Sequence, residues 1–367
     1  MNLIQSLLTL SYIKGVGSIT AKKLIEELGS AENVLQASER QLCAINDIGT
    51  ITAQAIISQK YEATELAVRE LNFLQNNEIT VLSYMDEKYP AKLKECTDAP
   101  LLLFGKGNFE FKNLRILSIV GTRNISKYGK DFIQELVGDL KKYNPLIISG
   151  LAYGCDIYAH EAALENDLQT IGVMAHGLNQ IYPKDHKRIA MKMMENGGLI
   201  TEFSSFHSPI RENFLKRNRI VAGIAQATLI VESAAKGGAM TTAQCAFDYN
   251  RDVLAVPGRI QDKYSQGCNN LIRENIASLI TSAEDLIQLL GWEKKKKTSK
   301  PIQKQLFVQL EPTQQLIYDY LAKNGKQSID ILANQLQIPM PRLSVELLNM
   351  ELKGVVQPLE GKLYEVI

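Results

Sequence analysis

Short apolar runs alternate with amphipathic stretches through the middle of the chain. The runs are rich in Ile, Val and Leu, and about 20 residues separate each from the next. They are RILSIV (115–120), PLIISG (145–150), TIGVMA (170–175), GLITEF (198–203), ATLIVE (227–232) and DVLAVPG (252–258). Such uninterrupted apolar runs are typical of strands buried on both faces, and the stretches between them mostly have helical periodicity. The pattern predicts a parallel sheet with helices on both faces, whose ligands bind beyond the carboxyl ends of the strands.

An internal repeat lies ahead of this region. The segment GVGSITAKKLI (15–25) recurs as DIGTITAQAII (47–57), 32 residues further on. In each copy a glycine-containing turn leads into a helix, and the residues before the turn can form another helix. The repeat resembles tandem helix-hairpin-helix motifs, whose turn amides commonly face a nucleic-acid phosphate. A helical packing module is the alternative, because the second copy has the acid Asp47 where a phosphate-binding turn would have none.

A polar segment and a small C-terminal domain follow Trp292. The segment contains EKKKKTSKPIQK, and its basic, proline-containing composition is typical of a linker. Two or three helical stretches and then VVQPLEGKLYEVI come after it, an order typical of a winged helix. The predicted organisation is a helical domain (1–75), an α/β domain (80–292), a basic linker (293–310) and a winged-helix-like domain (311–367).

The composition restricts where charge and chemistry can lie. The 41 basic and 40 acidic residues nearly cancel, so any nucleic-acid surface must come from local clustering. The five cysteines are far apart and form no C-x-x-C pair, which argues against a disulfide framework and a zinc site. We expect no metal and no cofactor. The N-terminus lacks signal-peptide features and no run approaches the roughly 18 apolar residues of a membrane span, which predicts a cytoplasmic protein without a membrane partner.

Positive charge is concentrated in RENFLKRNRIVAGIA (211–225), which has four cations and one acid. On a helical wheel Arg217 falls within the apolar face, where burying an unpaired charge is costly. Either its side chain points into a polar site that holds an anion, or the helix begins only after Arg217. Lys216 and Arg219 project to the other side. Phe214 offers a flat surface beside these cations, a combination that can stack a base while the cations hold phosphates. The segment therefore predicts contact with a single-stranded nucleic-acid backbone.

Turns after three of the predicted strands supply further candidate contacts. Glycines allow a ligand to approach the backbone, and helix N-termini favour phosphates. The candidates are Gly121, Thr122 and Arg123 after the first strand, with Asn124 and Ser126 at the start of the next helix; Ser149 and Gly150 after the second; and Gly237 and Gly238, followed by Thr241 and Thr242, after the fifth. Two glycines followed by hydroxyls after a buried strand favour phosphate binding over a purely structural turn.

Asp156 and His160 are four residues apart, so a helix would place them on one face. An acid–base pair would need a third partner that the sequence does not identify. We therefore favour a structural aspartate at the helix start and a hydrogen-bonded histidine.

Taken in order, the motifs resemble the DNA-processing protein A family (DprA, also called Smf). They are VGTR, ISGLAYGCDIYAHEAAL, GLNQIYP, LITEF, NFLKRNRIVAG and VESAAKGGAMTTA. The resemblance implies an α/β fold with an extended Rossmann-like, mostly parallel sheet between an N-terminal helix-hairpin-helix-like domain and a C-terminal winged helix. It also implies a non-catalytic, dimeric protein that binds and protects single-stranded DNA. Such a protein helps load the RecA recombinase in natural transformation and homologous recombination.

The DNA contacts that the resemblance implies extend the candidates above. They are Gly121, Thr122, Arg123, Ser149, Gly150, Asn213, Phe214, Lys216, Arg217, Asn218, Arg219, Gly237 and Gly238.

An enzyme that acts on nucleoside monophosphates is the alternative hypothesis. The glycine-rich turn is similar to the PGGxGTxxE signature of the LOG-type phosphoribohydrolases. Here Lys236 replaces the proline, Met240 the third glycine and Gln244 the glutamate. An amide cannot act as the general base or stabilise an oxocarbenium ion as a carboxylate does. The sequence therefore favours binding without catalysis.

Overall fold

The computed structural model describes residues 2–111, 115–293, 310–359 and 363–366, which fall into two compact units, 1–293 and 294–367. All of the predicted linker except its two end residues lies outside the described residues. No described helix is long and apolar enough to cross a membrane.

The first part of the larger unit is a helical module. Its helices are α1 (Leu3–Tyr12), α2 (Ser18–Leu28), α3 (Ala31–Gln36), α4 (Glu39–Cys43) and α5 (Thr50–Asn76). Leucines and alanines on α1, α2 and α5 form its core, which continues onto Leu102 and Phe104 of the neighbouring α/β domain. The 27 residues of α5 span about 40 Å, so this helix extends from the repeat to the α/β domain.

The two copies of the repeat have the same turn geometry. Gly17 and Gly49 precede α2 and α5 with nearly identical extended conformations. Gly15 and Asp47 occupy equivalent positions and both have left-handed backbones, with φ of 91° and 62°. Asp is among the non-glycine residues that tolerate this conformation. The Asp47 carboxylate also accepts a hydrogen bond from Lys23 Nζ at 2.6 Å, so the acid of the second copy pairs with a cation of the first.

Within the described residues, nine strands form the sheet of the α/β domain. They are β1 (Thr80–Ser83), β2 (Leu102–Asn108), β3 (Ile116–Val120), β4 (Leu146–Ser149), β5 (Thr170–Val173), β6 (Gly197–Thr201), β7 (Ala227–Ile230), β8 (Asp252–Ala255) and β9 (Ser278–Leu279). The order is β1-β2-β6-β5-β4-β3-β7-β8-β9, parallel from β6 to β9 and antiparallel where β2 meets β1 and β6. The six predicted strands are confirmed, whereas β1, β2 and β9 were not predicted.

Helices cover both faces of the sheet, as predicted. They are α6 (Ala91–Lys94), α7 (Lys127–Leu140), α8 (Cys155–Glu165), α9 (Lys187–Met193), α10 (Arg211–Ile224), α11 (Gly238–Asp248), α12 (Gln266–Arg273) and α13 (Ala283–Leu289), with short 3-10 helices at Lys141–Tyr143 and Lys184–His186. Alternate residues of β3 face opposite cores: Ile116 and Val120 pack with α10 and α11, and Leu117 and Ile119 pack with α7 and α8.

The smaller unit has the predicted winged-helix arrangement. It contains α14 (Pro312–Asn324), β10 (Gln327–Ser328), α15 (Ile329–Leu336), α16 (Met340–Leu352), β11 (Val356–Leu359) and β12 (Leu363–Val366). The strands form a small antiparallel sheet in the order β10-β12-β11. Leu321, Leu332, Leu343 and Leu347 are buried at the centre of the unit.

Candidate nucleic-acid interface

A cavity of about 730 Å³, which we call the strand-end pocket, opens at the carboxyl ends of the central strands. The turns after β3, β4, β5 and β7 all line it. The chain adds β4 on one side of β3 and later adds β7 on the other, so the pocket lies where the strand order reverses. This is the place at which doubly wound sheets bind ligands, as the apolar pattern predicted.

Arg217 forms part of the floor of the strand-end pocket. It is 5% exposed although it lies within α10, and its guanidinium donates to the carbonyl oxygen of Val173 and, at 3.2 Å, to Asn218 Oδ1. Asp156, in the first turn of α8, lies close by. Burial raises the pKa of the Asp156 carboxyl, and the positive charge of Arg217 opposes that rise. The sequence left two explanations for Arg217: its side chain enters a polar site, or the helix begins after it. The structure has the first arrangement, because Arg217 lies within α10 and its side chain meets polar groups.

Gly150 makes this floor possible. A Cβ at Gly150 would clash with the Asp156 carboxylate and would lie 2.6 Å from Arg217 Nη2. Any side chain here would push the two charged groups out of place. The predicted importance of Gly150 therefore follows from the close approach of Asp156 and Arg217 to its backbone.

Aromatic rings form one wall of the pocket. The Phe214 ring lies 5.9 Å from Arg123 Cζ and 6.2 Å from the ring of Tyr182, measured between centroids for the two rings. Tyr182 is 47% exposed, and Tyr153, which also lines the cavity, is exposed as well. Flat, partly exposed rings beside a guanidinium can stack nucleobases.

The start of α11 and the rim of the pocket offer backbone amides and cations. Gly237 precedes α11 and has no side chain to cap it, so the amides of the first turn of α11 are available to an anion. Arg123, Arg211 and Lys236 are exposed at the rim. The hydroxyl of Thr242 donates to Gly238 O at 3.1 Å, so this threonine is part of the helix start.

The start of α7 differs from the sequence-based expectation. Ser126 and the helix N-terminus were expected to face a phosphate, but the carboxylate of Glu232 occupies this position. Its oxygens accept hydrogen bonds from Ser126 N at 2.8 Å and from Ser126 Oγ at 2.5 Å. Asn124 donates to the hydroxyl of Tyr264 at 2.9 Å. The expectation for Ser126 was wrong, because a side chain distant in sequence supplies the anion.

Lys216 and Arg219 lie on the other side of α10, as the helical wheel predicted. They line a second cavity of about 570 Å³, the interdomain groove, between the helical module and the α/β domain. Lys216 is exposed, whereas Arg219 pairs with Glu202 and donates to Asp98 O at 2.6 Å. The predicted DNA-binding cations thus divide between two surfaces, and DNA binding by Lys216 and Arg219 stays a prediction.

Ser149 and Asn213 have buried side chains that bond to the backbone. Ser149 Oγ donates to Ile119 O at 2.6 Å, and Asn213 Nδ2 donates to Ser208 O at 3.2 Å. They support the surrounding turns rather than line the strand-end pocket. The pocket itself brings together Gly121, Thr122, Arg123, Gly150, Phe214, Arg217, Asn218, Gly237 and Gly238 from the predicted set.

His160 has the predicted structural role. It is fully buried, with Nδ1 2.7 Å from Thr170 Oγ1 and Nε2 2.6 Å from Gly150 O. The Nε2 proton of the neutral ring donates to Gly150 O, and burial lowers the pKa of His160 to about 4. His160 therefore supports the Gly150 turn from beneath.

Several lining residues were not among the predicted contacts, including Arg211, Tyr153, His176 and Tyr264. Arg211 begins the charged segment and Tyr153 follows the Gly150 turn, so their positions could have suggested a role. Tyr264 comes from the loop after β8, and nothing near it in the sequence indicates that this loop returns to the pocket. Within the described ranges, no group of three His, Cys, Asp or Glu side chains is placed to hold a metal ion.

Models of known families match three parts of the chain. The model for DNA recombination-mediator protein A matches residues 80–291, the model for the helix-hairpin-helix motif matches residues 7–64, and the model for the DprA winged helix domain matches residues 304–362.

Curated proteins and solved structures give the same result. The DNA processing protein DprA of Streptococcus pneumoniae is 34% identical over 269 residues, covering 73% of this chain and 93% of that protein. Protein Smf of Escherichia coli is 33% identical over 278 residues, covering 75% of this chain and 74% of that protein. The X-ray structure of the S. pneumoniae protein matches 78% of this chain and 98% of its own, with a TM-score of 0.65 and 30% identity.

A structure of DNA processing protein A from Helicobacter pylori, described in terms of its single-stranded DNA binding mode, matches 58% of this chain and 95% of its own, with a TM-score of 0.53 and 28% identity. The chain belongs to the DNA recombination-mediator protein A family, the DNA-processing protein A family that its motifs resemble.

Proposed function

We propose that this protein binds single-stranded DNA in the strand-end pocket. The observation that carries the proposal is the position of the Phe214 ring beside Arg123 and Tyr182, in the same pocket that the uncapped start of α11 lines. The aromatic rings can stack bases while the cations and the start of α11 hold phosphates. The H. pylori relative, whose described binding mode is for single-stranded DNA, supports the same ligand class.

A single strand suits this pocket better than a duplex does. Its bases are unpaired and can turn toward the aromatic wall, whereas the bases of a duplex are stacked on one another inside the helix. Phosphate contacts carry no base information, so we expect little sequence preference. We further propose that the bound DNA is protected and passed to the RecA recombinase in natural transformation and homologous recombination, and that the protein acts as a cytoplasmic homodimer.

We also propose that the site is not catalytic. Gln244, at the position of the phosphoribohydrolase glutamate, is exposed on α11 and donates to Asp248 Oδ1 at 2.8 Å. Among the described residues that line the pocket, Asp156 is the single carboxylate, and glycoside hydrolysis usually needs two. Incubation with nucleoside monophosphates should release no free base; steady release would restore the enzymatic hypothesis.

The domain boundaries complete the proposal. We propose a helical domain at 1–75, the DNA-binding α/β domain at 80–292, a linker at 293–310 and a winged-helix domain at 311–367. The family models match within or close to these ranges.

Fluorescence anisotropy with a labelled oligonucleotide tests the DNA site. Single-stranded and duplex probes are titrated across a salt series with wild type and with the double variant Arg123→Ala, Arg211→Ala. If about four phosphates are neutralised, the logarithm of the affinity should fall with the logarithm of salt at a slope near −3. The double variant should bind at least tenfold more weakly and have a shallower slope, near −1.5.

A matched control removes two cations elsewhere. Arg188→Ala with Lys192→Ala changes two exposed residues of α9, a helix that leads into the amino end of β6. This control should bind as wild type does. Equal affinity of wild type and the Arg123, Arg211 variant would place the DNA outside the strand-end pocket.

A further inference from the structure

Glu70 connects the helical module to the loop that precedes α10. It lies toward the end of α5 and is only 1% exposed. Oε1 accepts a hydrogen bond from Ser205 N at 2.9 Å, and Oε2 accepts one from Ser205 Oγ at 2.5 Å. A buried carboxylate loses its hydration, so it is stable only where donors replace the lost water. Both oxygens of Glu70 have such donors in one residue of the α/β domain.

The loop that contains Ser205 joins β6 to α10 and is held from two sides. On the helical-module side, Glu70 bonds to Ser205 and the ring of Tyr12 lies 6.5 Å from that of Phe206. On the other side, Gly177 N donates to His207 O at 3.1 Å, and Gly177 lies so close to Ser204 O that a Cβ would clash there. The position of the loop is therefore determined jointly by α5 and by the turn after β5.

The start of α10 depends on this loop. Its N-cap is Ile210, whose side chain cannot accept a hydrogen bond from the helix amides. The first turn is instead fastened to the loop, because Asn213 Nδ2 donates to Ser208 O at 3.2 Å and Asn213 N donates to Ile210 O at 3.1 Å. Arg211 and Phe214, which line the strand-end pocket, belong to this turn.

We propose that Glu70 is a positioning residue for DNA binding. By fixing Ser205 it determines where α10 begins, and it thereby holds Arg211 and Phe214 at the strand-end pocket. The inference rests on the proposed function of that pocket. It gives the helical module a part in DNA binding through the placement of α10, although the residues that line the pocket come from the α/β domain.

The decisive variant is Glu70→Ala in the full-length chain, titrated with a labelled oligothymidylate. We expect the Kd to rise about fivefold, because Ser205 loses its acceptors and the start of α10 shifts. Loss of a negative charge alone would lower the Kd for a polyanion such as DNA. The rise in Kd that we expect from lost positioning therefore has the opposite sign. Glu65→Ala removes an exposed acid from the same helix and should leave the Kd unchanged or slightly lower.

Two further measurements separate positioning from a general loss of structure. Partial unfolding lowers the fraction of active protein, which a stoichiometric titration measures, but leaves the Kd of the folded fraction unchanged. Glu70→Gln keeps an acceptor for Ser205 N and should bind within about twofold of wild type.

The last test places Glu70→Ala in a variant that already has Arg211→Ala and Phe214→Ala, where it should have no further effect. An unchanged Kd for Glu70→Ala alone, or the same fivefold loss in that background, would overturn the inference while leaving the DNA site in place. If Arg211→Ala with Phe214→Ala does not itself weaken binding, the proposed DNA site fails and the inference fails with it.

Discussion

The surfaces on the two sides of α10 both contain cations but differ in what surrounds those cations. On the strand-end side, Arg123, Arg211 and Lys236 are exposed at the rim, and within the described part of the chain none of them forms a salt bridge with an acid. On the groove side, Arg219 is 17% exposed and pairs with Glu202, and Asp98 lies 3.7 Å from its Nε. The comparison shows that the protein's own acids already neutralise Arg219, whereas the cations at the rim of the strand-end pocket remain available to an external anion.

Arg219→Ala should have the largest effect, and on stability rather than on DNA binding. Removing the guanidinium leaves Glu202 buried without its partner, so we expect the free energy of unfolding to fall by about 3 kcal/mol. Urea unfolding measures this loss, and anisotropy should show a Kd within about twofold of wild type. A large loss of affinity with unchanged stability would mean that the groove, too, binds DNA through Arg219.

The floor of the strand-end pocket should be sensitive to acid through His160. Its folded-state pKa of about 4 lies below the ordinary value of 6.5, so the unfolded chain takes up a proton that the folded protein excludes. The contribution of neutral His160 to the free energy of unfolding is fully present above pH 6.5 and is lost as the pH falls toward 4. We expect the free energy of unfolding to decrease by between about 2 and 3 kcal/mol over this range.

Urea unfolding at several pH values compares wild type with His160→Gln. Glutamine has both a donor and an acceptor, and the variant should lose the part of the pH dependence that comes from the histidine. Identical pH dependence in the two proteins would contradict the assignment.

Phe214→Leu tests the aromatic wall. Leucine keeps an apolar side chain on α10 but cannot stack a base, so the affinity for single-stranded DNA should fall by roughly tenfold. The slope of the salt dependence should not change, because the phosphate contacts remain. Phe247→Leu, at a half-exposed position on α11, is the matched control and should have no effect. A change in the slope of the salt dependence without a change in affinity would mean that Phe214 positions the cations and does not stack on the bases.

Lys216→Ala should have the smallest effect. This lysine is exposed in the interdomain groove, and we expect the affinity to fall by about twofold to threefold, with a slope less steep by about 0.7. Such a result would show that the strand crosses α10 from the pocket toward the groove. Wild-type affinity and slope would confine the DNA to the strand-end pocket.

The central fold could be predicted because its strands are buried on both faces. The strands from β3 to β8 are therefore continuous apolar runs, and all were found where the pattern placed them. The strand β2 was missed because LLFGKGN ends in polar and glycine residues, and β1 was missed because TVLS is short and has only two apolar residues. Neither segment shows clear period-two alternation, so their pairing at the sheet edge depends on contacts that the local pattern does not reveal.

The candidate site could be predicted only where its signal is local. The charged α10, its two-sided arrangement and the glycine turns are all apparent within short segments. The partners that decide which residues remain available are distant: Glu232 reaches Ser126, Glu202 reaches Arg219, and Tyr264 reaches Asn124. A single sequence does not indicate which of these side chains will meet.

The carboxylate of Glu232 at the start of α7 also affects how a strand can be aligned. Consecutive phosphates along a strand are nearly equivalent, and several helix starts around one pocket would let the same strand bind in several registers. Because the protein places its own anion at one of these starts, a phosphate there would meet a like charge. If DNA binds as proposed, the strand would be directed toward the start of α11 and the cations around it. Glu232 would thus reduce the number of ways in which a repetitive polymer can align near the pocket.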